Sequence, residues 1–171
     1  GSFYHGVLEQ FFRGLIERGT DISDIPAGKL VQMVRQAARE YVSSDRFVSS
    51  FAARRQHNRF IIDTAMDNLE RMAAAMRQMI SAGKFRPAAV EVDFGMQNAG
   101  LGLFELELSD GSKLRLKGKI DRIDLADSDN GKAALVFDYK LSGNSFDWAG
   151  LYYGLDIQLA LYLAALRNCG G

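Results

Sequence analysis

Cysteine is almost absent from this 171-residue sequence, in which Cys169 is the single example. One thiol cannot form a disulfide within the chain and cannot build a zinc site by itself. The sequence therefore excludes a disulfide-stabilised scaffold and fits a reducing compartment. We interpret Cys169 as a free thiol near the end of the chain, where order is usually lowest.

Long apolar runs are missing as well. No run approaches the ~20 residues of a membrane-spanning helix, and no signal peptide is visible. We therefore expect a soluble, cytoplasmic protein without membrane contact. A Gly-x-x-x-x-Gly-Lys-(Ser/Thr) phosphate loop is also absent, so nothing in this sequence is expected to couple nucleotide hydrolysis to movement.

Net charge is zero overall but not locally, since 21 Lys+Arg balance 21 Asp+Glu. Residues 1–86 hold 13 basic and 9 acidic residues, a net of +4. Residues 87–171 hold 8 basic and 12 acidic residues, a net of −4. A basic half and an acidic half that attracts metal ions could share one phosphate backbone.

The length and the apolar fraction of 47% fit one globular domain spanning residues 1–171. Within it we expect a mainly helical part over residues 1–86. Residues 87–171 are expected to hold a strand meander and a C-terminal helix. This order of elements predicts an α/β protein with a helical N-terminal half.

The apolar spacing locates these elements. Helical spacing predicts helices over Tyr4–Glu17, Lys29–Val42 and Asn58–Ala82. Alternation of period two then predicts strands over Ala89–Phe94, Leu101–Leu108, Leu114–Leu125 and Ala133–Lys140. Helical spacing returns over Asp147–Asn168.

Basic and aromatic residues interleave between the second and third predicted helices. The residues are Arg46, Phe47, Phe51, Arg54, Arg55, His57, Arg59 and Phe60. They could form a nucleic-acid surface, because bases stack on aromatic rings and arginines pair with phosphate. Equally, the phenylalanines could be buried and the arginines merely solvated, and the sequence leaves both interpretations open.

Two predicted strands each deliver a carboxylate, Asp121 on one and Asp138 on the next. Lys140 follows Asp138 by two residues, so both side chains are expected on the same face of the sheet. Asp121 is expected on the face opposite Arg122 and Asp124, which we interpret as an intra-strand ion pair. The pattern predicts a metal site with a charged helper.

Five short motifs occur in order along the chain. They are Gly1-x-x-x-His5-x-x-Leu8-Glu9, Glu91-Val92-x-Phe94-Gly95, Gly118-x-Ile120-Asp121-Arg122-Ile123-Asp124, Asp138-Tyr139-Lys140 and Gln158-x-x-x-Tyr162. Together they resemble the RecB-type branch of the PD-(D/E)XK nuclease superfamily. The run 120–124 and Tyr152-Tyr153-Gly154 resemble, more narrowly, the C-terminal nuclease domain of the AddB family of helicase-nuclease subunits.

The resemblance implies a restriction-endonuclease-like core, in which a mixed central β-sheet is flanked by helices. It also implies that His5, Asp121 and Asp138 bind a metal ion together with the main-chain carbonyl of Tyr139. The ion implied is Mg²⁺ or Mn²⁺, because carboxylate and carbonyl oxygens suit hard cations.

Lys140 is implied to be the catalytic lysine, so that Asp121, Asp138 and Lys140 form the catalytic set. Gln158 and Tyr162 match the glutamine-tyrosine helix motif of the branch and are implied to steady the site and face DNA. Glu91 is interpreted as structural support.

The implied activity is metal-dependent, exonucleolytic hydrolysis of DNA phosphodiesters during processing of double-strand ends for recombinational repair. The implied partners are single-stranded DNA or DNA ends and an AddA-like helicase subunit. An iron-sulfur cluster is implied for the full-length relatives. We do not expect it here, because only Cys169 is present and the sequence looks like a piece of a larger protein.

Two alternatives stay open at this point. One is a Cas4-like or other RecB-family single-strand exonuclease. The other is a catalytically inactive module that uses the same fold to bind DNA or a partner.

Overall fold

The computed structural model describes residues 2–97, 100–129, 131–140, 148–154 and 156–169. The chain divides into two compact units. The helical unit comprises residues 1–87 and 125–133, and the strand unit comprises residues 88–124 and 134–171. The expectation that the whole chain acts as one domain stays a prediction.

The helical unit begins with a series of helices. They are α1 (Ser2–Glu17), a 3₁₀ helix (Ile22–Asp24), α2 (Ala27–Ser44), α3 (Arg46–Arg54) and α4 (Gln56–Ala82). The predicted helices correspond to α1, α2 and α4, with ends that differ by no more than two residues. α3 is an addition. It begins after Asp45, whose carboxylate accepts the N–H groups of Phe47 and Val48, each at 2.9 Å.

Apolar stripes on these helices form the interior of the helical unit. The α1 stripe is fully buried and consists of Val7, Leu8, Phe11, Phe12 and Leu15. α2 contributes Leu30 and Val34, and α4 contributes Leu69 and Ala73. Burial of such side chains supplies about 1.5–3 kcal/mol each, so the packing of these stripes holds the helices together.

Arg86 closes the C-terminal end of α4. Its Nη1 donates to the carbonyls of Ile80, Gly83 and Phe85, at 3.1, 2.9 and 3.0 Å. The guanidinium also forms an ion pair with Asp21, which caps the 3₁₀ helix by accepting the Ser23 N–H at 2.8 Å. Ile80 lies in the last turn of α4, and its carbonyl also accepts the Gly83 N–H at 3.2 Å. The positive charge of Arg86 lies at the negative end of the helix dipole, where a cation is stabilising.

The strands follow the helices. They are β1 (Arg86–Phe94), β2 (Phe104–Glu107), β3 (Lys113–Leu116), β4 (Gly118–Ser128) and β5 (Gly131–Phe137). One sheet has the strand order β1-β4-β5. In the other, β2 and β3 pair antiparallel, with Phe104 opposite Leu116.

The structure corrects the predicted strand boundaries. The expected strand Leu114–Leu125 is divided at Lys117 into β3 and β4, because the two pieces pair with different strands. β5 ends at Phe137, so Asp138 and Lys140 lie just beyond the strand and not within it. The strand expected over Leu101–Leu108 is shorter, since β2 covers Phe104–Glu107.

The expected helix over Asp147–Asn168 is divided too. It comprises α5 (Trp148–Tyr152) and α6 (Gln158–Cys169). Gly154 ends the turn after α5 with a φ of +70°, a left-handed conformation that glycine adopts without strain. The interruption leaves Gln158 as the first residue of α6.

Aromatic residues and a charged pair share the interior of the strand unit. The ring of Phe94 lies 5.9 Å from the rings of both Phe104 and Tyr162, in edge-to-face geometry. Arg122 and Asp124 are each 0% exposed. Helices that precede a sheet, with a further helix after it, confirm the α/β class and the helical N-terminal half. Among the described residues no helix has the length and apolarity to cross a membrane.

Candidate active site

Asp121 lies in the middle of β4, whose alternation points it away from the buried side chains of Ile120 and Arg122. Its Oδ2 accepts the backbone N–H of Tyr139 at 2.7 Å. This bond ties β4 to the segment immediately after β5. It also brings the Asp121 carboxylate to the peptide that joins Asp138 to Tyr139.

Lys140 and Asp138 form an ion pair at this place. The Lys140 Nζ lies 3.1 Å from the Asp138 Oδ2. The hydrogen bond to Asp138 and the charge of that carboxylate raise the pKa of the Lys140 ammonium. Lys140 therefore carries its positive charge at neutral pH, on a side chain that is 42% exposed.

Gln158 connects this pair to α6. Its side-chain nitrogen Nε2 donates to Asp138 Oδ1 at 3.1 Å and to the Tyr162 hydroxyl at 2.6 Å. Its Oε1 accepts from the Lys140 ammonium at 3.1 Å. Tyr162 follows Gln158 by one helical turn, which places both side chains on one helix face. Burial raises the pKa of the Tyr162 phenol, which keeps its proton.

A second layer of contacts lies behind the site. Arg122 Nε and Nη2 contact the two Asp124 carboxylate oxygens at 2.8 and 3.2 Å, as expected of the intra-strand pair. Arg122 Nη1 donates to the Tyr139 hydroxyl at 3.0 Å, and its guanidinium lies 3.8 Å from the centre of the Phe137 ring. Burial raises the pKa of the Asp124 carboxyl, and Arg122 offsets only part of this effect.

The two layers are contacted by alternate residues of the segment 137–140. Residues 137 and 139 contact Arg122, whereas residues 138 and 140 join Gln158. Alternate side chains of one short segment are therefore fixed on opposite sides. The contact of Tyr139 with Arg122 is a feature that the sequence analysis missed. Strand alternation could have indicated it, because residues 137 and 139 point to the face opposite to that of residues 138 and 140.

A groove of about 600 Å³ adjoins the cluster. Lys140, Gln158 and Tyr162 line it together with Lys117 and Asp156, neither of which was predicted. Gly118 forms part of the wall, where an added Cβ would lie 2.6 Å from the Phe94 ring. Any larger residue at position 118 would collide with this ring, because Phe94 is buried.

Glu91 lies on β1, beside β4, and forms an ion pair with Lys119 at 3.2 Å. Its φ of +49° is unusual for a residue other than glycine. The Glu91 carboxylate thus joins β1 to the neighbouring strand β4, which fits a structural role.

His5 lies in α1, in the helical unit. Its predicted meeting with Asp121 and Asp138 in the strand unit stays a prediction. Within neither unit do the described residues gather three or more His, Cys, Asp or Glu side chains closely enough to hold a metal ion.

The donors that are present fit a hard cation. Asp121 and Asp138 supply carboxylate oxygens, and each carboxylate can accept about four contacts, so the bonds described above do not exhaust them. Mg²⁺ characteristically binds through one or two carboxylates, retained waters and substrate phosphate, without a complete cage of protein ligands.

Comparison with known proteins agrees with this chemistry. Residues 1–170 match the PD-(D/E)XK nuclease superfamily, whose members generally use divalent metal ions. The chain is also similar to proteins named as the B subunit of an ATP-dependent helicase/deoxyribonuclease, which form the AddB family. The one from Moorella thermoacetica is 33% identical over 168 residues, which is 96% of this chain and 14% of the relative.

Two further relatives of the same name agree. The protein of Acetivibrio thermocellus is 31% identical over 174 residues, 99% of this chain and 15% of the relative. That of Clostridium tetani is 30% identical over 167 residues, 97% of this chain and 14% of the relative. The chain thus spans only 14–15% of the length of these proteins. With a match that extends over residues 1–170, the chain belongs to the PD-(D/E)XK nuclease superfamily.

Proposed function

We propose that this chain is the nuclease domain of a DNA-end-processing enzyme and hydrolyses DNA phosphodiesters with the help of Mg²⁺ or Mn²⁺. The observation that carries the proposal is the cluster of Asp138, Lys140 and Gln158 beside Asp121. Two carboxylates and an ammonium at one place suit the charge of a phosphodiester and of the ion that neutralises it. The name of the relatives, helicase/deoxyribonuclease, supports DNA as the substrate.

Asp121 and Asp138 would hold the ion, with the carbonyl of Tyr139 and with His5 as the further ligands inferred from the family. When bound, such an ion polarises a phosphate oxygen and lowers the pKa of a coordinated water. The Tyr139 N–H restrains Asp121, and Gln158 restrains Asp138. Each carboxylate is thereby oriented before substrate arrives, which lowers the cost of assembling the site.

Lys140 would act as a fixed positive charge. Its Nζ lies 3.1 Å from Asp138 Oδ2, next to a carboxylate that would hold the ion. The ammonium is therefore suited to offset the negative charge that builds on the phosphate oxygens in the transition state. Gln158 accepts one N–H of Lys140 and so limits the directions in which the ammonium points.

We also propose that ATP-driven movement comes from elsewhere in the larger protein or from an AddA-like helicase partner. This chain has no phosphate loop, and the relatives that carry "helicase" in their name are about seven times longer. The end-processing role in recombinational repair therefore belongs to the assembly, and hydrolysis belongs to this chain.

The test is to incubate the purified chain with labelled linear single- and double-stranded DNA in Mg²⁺ or Mn²⁺, with and without ATP. We expect cleavage that needs the ion, stops in EDTA and ignores ATP. Cleavage that persists in EDTA would refute the metal mechanism. DNA binding without any cleavage would instead favour the inactive module.

The matched variants are Lys140→Ala and Lys132→Ala, since Lys132 is an exposed lysine on β5. Loss of one charged donor to a transition state costs about 100-fold or more in turnover, so Lys140→Ala should lose at least that much. Its Mn²⁺ affinity should be nearly unchanged, and Lys132→Ala should match the parent chain. Asp121→Ala should lose Mn²⁺ affinity as well as turnover.

A further inference from the structure

A continuous basic and aromatic segment covers α3 and the first turns of α4. Residues 46–62 contain four arginines, one histidine and no acidic residue. Arg46, Arg54, Arg55 and Arg59 are all exposed. The segment lies wholly within the helical unit, so it is separate in the chain from the residues of the candidate active site.

Two of its phenylalanines are displayed to solvent. Phe47 is 77% exposed and Phe60 is 67% exposed, whereas Val48 and Ile62 beside them are buried. Val48 and Ile62 thus pack inward, whereas Phe47 and Phe60 lie outside. This settles the sequence ambiguity for these two rings. Exposed aromatic rings and arginines are the two kinds of side chain that single-stranded nucleic acids contact, through their bases and their phosphates.

The arginines are not occupied by local carboxylates. Among the residues that the structure describes, Arg46, Arg54, Arg55 and Arg59 take part in no salt bridge. Asp45, the nearest acidic residue before them, is engaged in capping α3. By contrast, Arg35 on α2 forms an ion pair with Glu70. The positive charge of the segment is thus available to an external anion.

Helix geometry brings rings and charges together along the surface. Phe47 and Arg54 are seven residues apart, which is two turns along one face of α3. Arg55 alone separates α3 from α4. His57 and Phe60 are three residues apart and share a face of α4. The exposed rings therefore occur at intervals along a basic stretch of the chain.

We infer that α3 and the first turns of α4 form a binding surface for single-stranded DNA, which we call the α3–α4 surface. Its arginines would contact phosphates, and Phe47 and Phe60 would each stack on a base. A duplex hides the faces of its bases, so only an unpaired strand can use both kinds of contact. The inference rests on the proposed function only in the choice of DNA as the nucleic acid.

The test measures binding of the chain to a fluorescent oligothymidine in EDTA, so that no cleavage takes place. The variant R54A/R55A/R59A removes three charges from the α3–α4 surface. The control R18A/R39A/R71A removes three exposed charges elsewhere in the helical unit. Each phosphate contact on a single strand changes the slope of log K against log salt by about 0.7, so the first variant should flatten that slope by about 2.

We expect the first variant to bind oligothymidine at least tenfold more weakly than the control at low salt. Equal weakening in both variants would overturn the inference, because net charge alone would then explain the binding. Unchanged affinity in both would overturn it too and would assign this face to a protein contact.

The variant F47A/F60A isolates stacking. Because each ring would stack on a base, this variant should bind oligothymidine at least tenfold more weakly with an unchanged salt slope. Its affinity for inorganic polyphosphate, which has no bases, should not change. Because both rings are exposed, the melting temperature should also stay the same. Parent-like affinity for oligothymidine would overturn the inference, whatever the result of the cleavage assay.

Discussion

Every fully buried residue that the structure describes in the helical unit is apolar, whereas the strand unit fully buries Arg122 and Asp124. In the helical unit Arg86 binds three carbonyls and Asp21, yet its side chain stays 42% exposed. A buried ion pair seldom adds net stability, since both charges lose their hydration. We therefore explain this pair by its contacts, since Arg122 donates to the Tyr139 hydroxyl and lies against the Phe137 ring, behind the candidate active site.

The comparison teaches that one chain uses two kinds of interior. In the helical unit, shape and apolar area decide the packing. In the strand unit, a charged network fixes the direction of alternate side chains in one short segment. Removing a member of that network should therefore disturb both stability and the site, whereas removing apolar bulk from the helical unit should disturb stability alone.

The largest effect is expected from Asp124→Ala. This change leaves the Arg122 guanidinium buried without its carboxylate, which costs about 3–5 kcal/mol of the free energy of unfolding. Urea unfolding followed by circular dichroism measures it. The double variant R122M/D124L removes both charges at similar volume and should be less destabilised than Asp124→Ala. A single variant as stable as the parent chain would contradict the role of the pair.

Leu69→Ala should come next. Leu69 is 0% exposed in α4, and truncation of a buried leucine costs about 2–5 kcal/mol through lost burial and the cavity left behind. Met79→Ala on the same helix is the control, because Met79 is 44% exposed and its truncation should cost less. The folded fraction of Leu69→Ala should cleave DNA at the parent rate. A lower rate per folded molecule would contradict the claim that the apolar interior of the helical unit affects stability alone.

Tyr139→Phe should have a smaller effect. It deletes the acceptor of the Arg122 N–H, and a hydrogen bond to a charged group contributes about 1.5–3 kcal/mol. Burial raises the pKa of the Tyr139 phenol, so pH should not alter this result in the neutral range. Tyr41→Phe is the matched change in the helical unit, where the phenol donates to Asp45 at 3.3 Å. Equal losses of unfolding free energy in the two variants would show that the buried environment of Arg122 does not strengthen its bond to Tyr139.

The smallest effect concerns Asp21. Burial alone would raise the pKa of its carboxyl, but hydrogen bonds from Ser23 and Arg86 outweigh burial and lower it. The stabilisation is therefore present above the ordinary pKa of about 3.9 and is lost as the pH falls through the lower folded pKa. Because the Asp21 side chain is 28% exposed, we expect less than about 1 kcal/mol.

Comparing Asp21→Asn with the parent chain by thermal melting at neutral and acid pH measures this contribution. The two melting temperatures should differ at neutral pH and converge as the solution becomes more acid. A difference that grows on acidification would contradict the assigned direction.

The sequence predicted the parts of the site that depend on local order. Alternation within β4 separates Asp121 from Arg122 and Asp124, and the short Asp138–Lys140 spacing brings these two side chains together. The four-residue spacing of Gln158 and Tyr162 likewise defines one helix face. These relations follow from the geometry of strand and helix and need no knowledge of the tertiary fold.

Other features depend on long-range packing and were missed. The division at Lys117 arises because β3 and β4 pair with different strands, which no window of sequence reveals. The bonds of Gln158 to Asp138 and Lys140 join residues about 20 positions apart. Exposure of Phe47 and Phe60 also depends on which helix face packs inward. Periodicity shows which side chains share a face of one element, but contacts between different elements depend on the tertiary fold.

The bond between the Tyr139 amide and Asp121 has a practical consequence for spectroscopy. An amide proton that points at a carboxylate is displaced in its NMR frequency, and a cation drawn to that carboxylate competes for the same electrons. The chain has six tyrosines, so labelling them alone with ¹⁵N gives a six-signal spectrum. The signal of Tyr139 is then an internal gauge of cation binding at Asp121, readable during a Mg²⁺ titration without any DNA present.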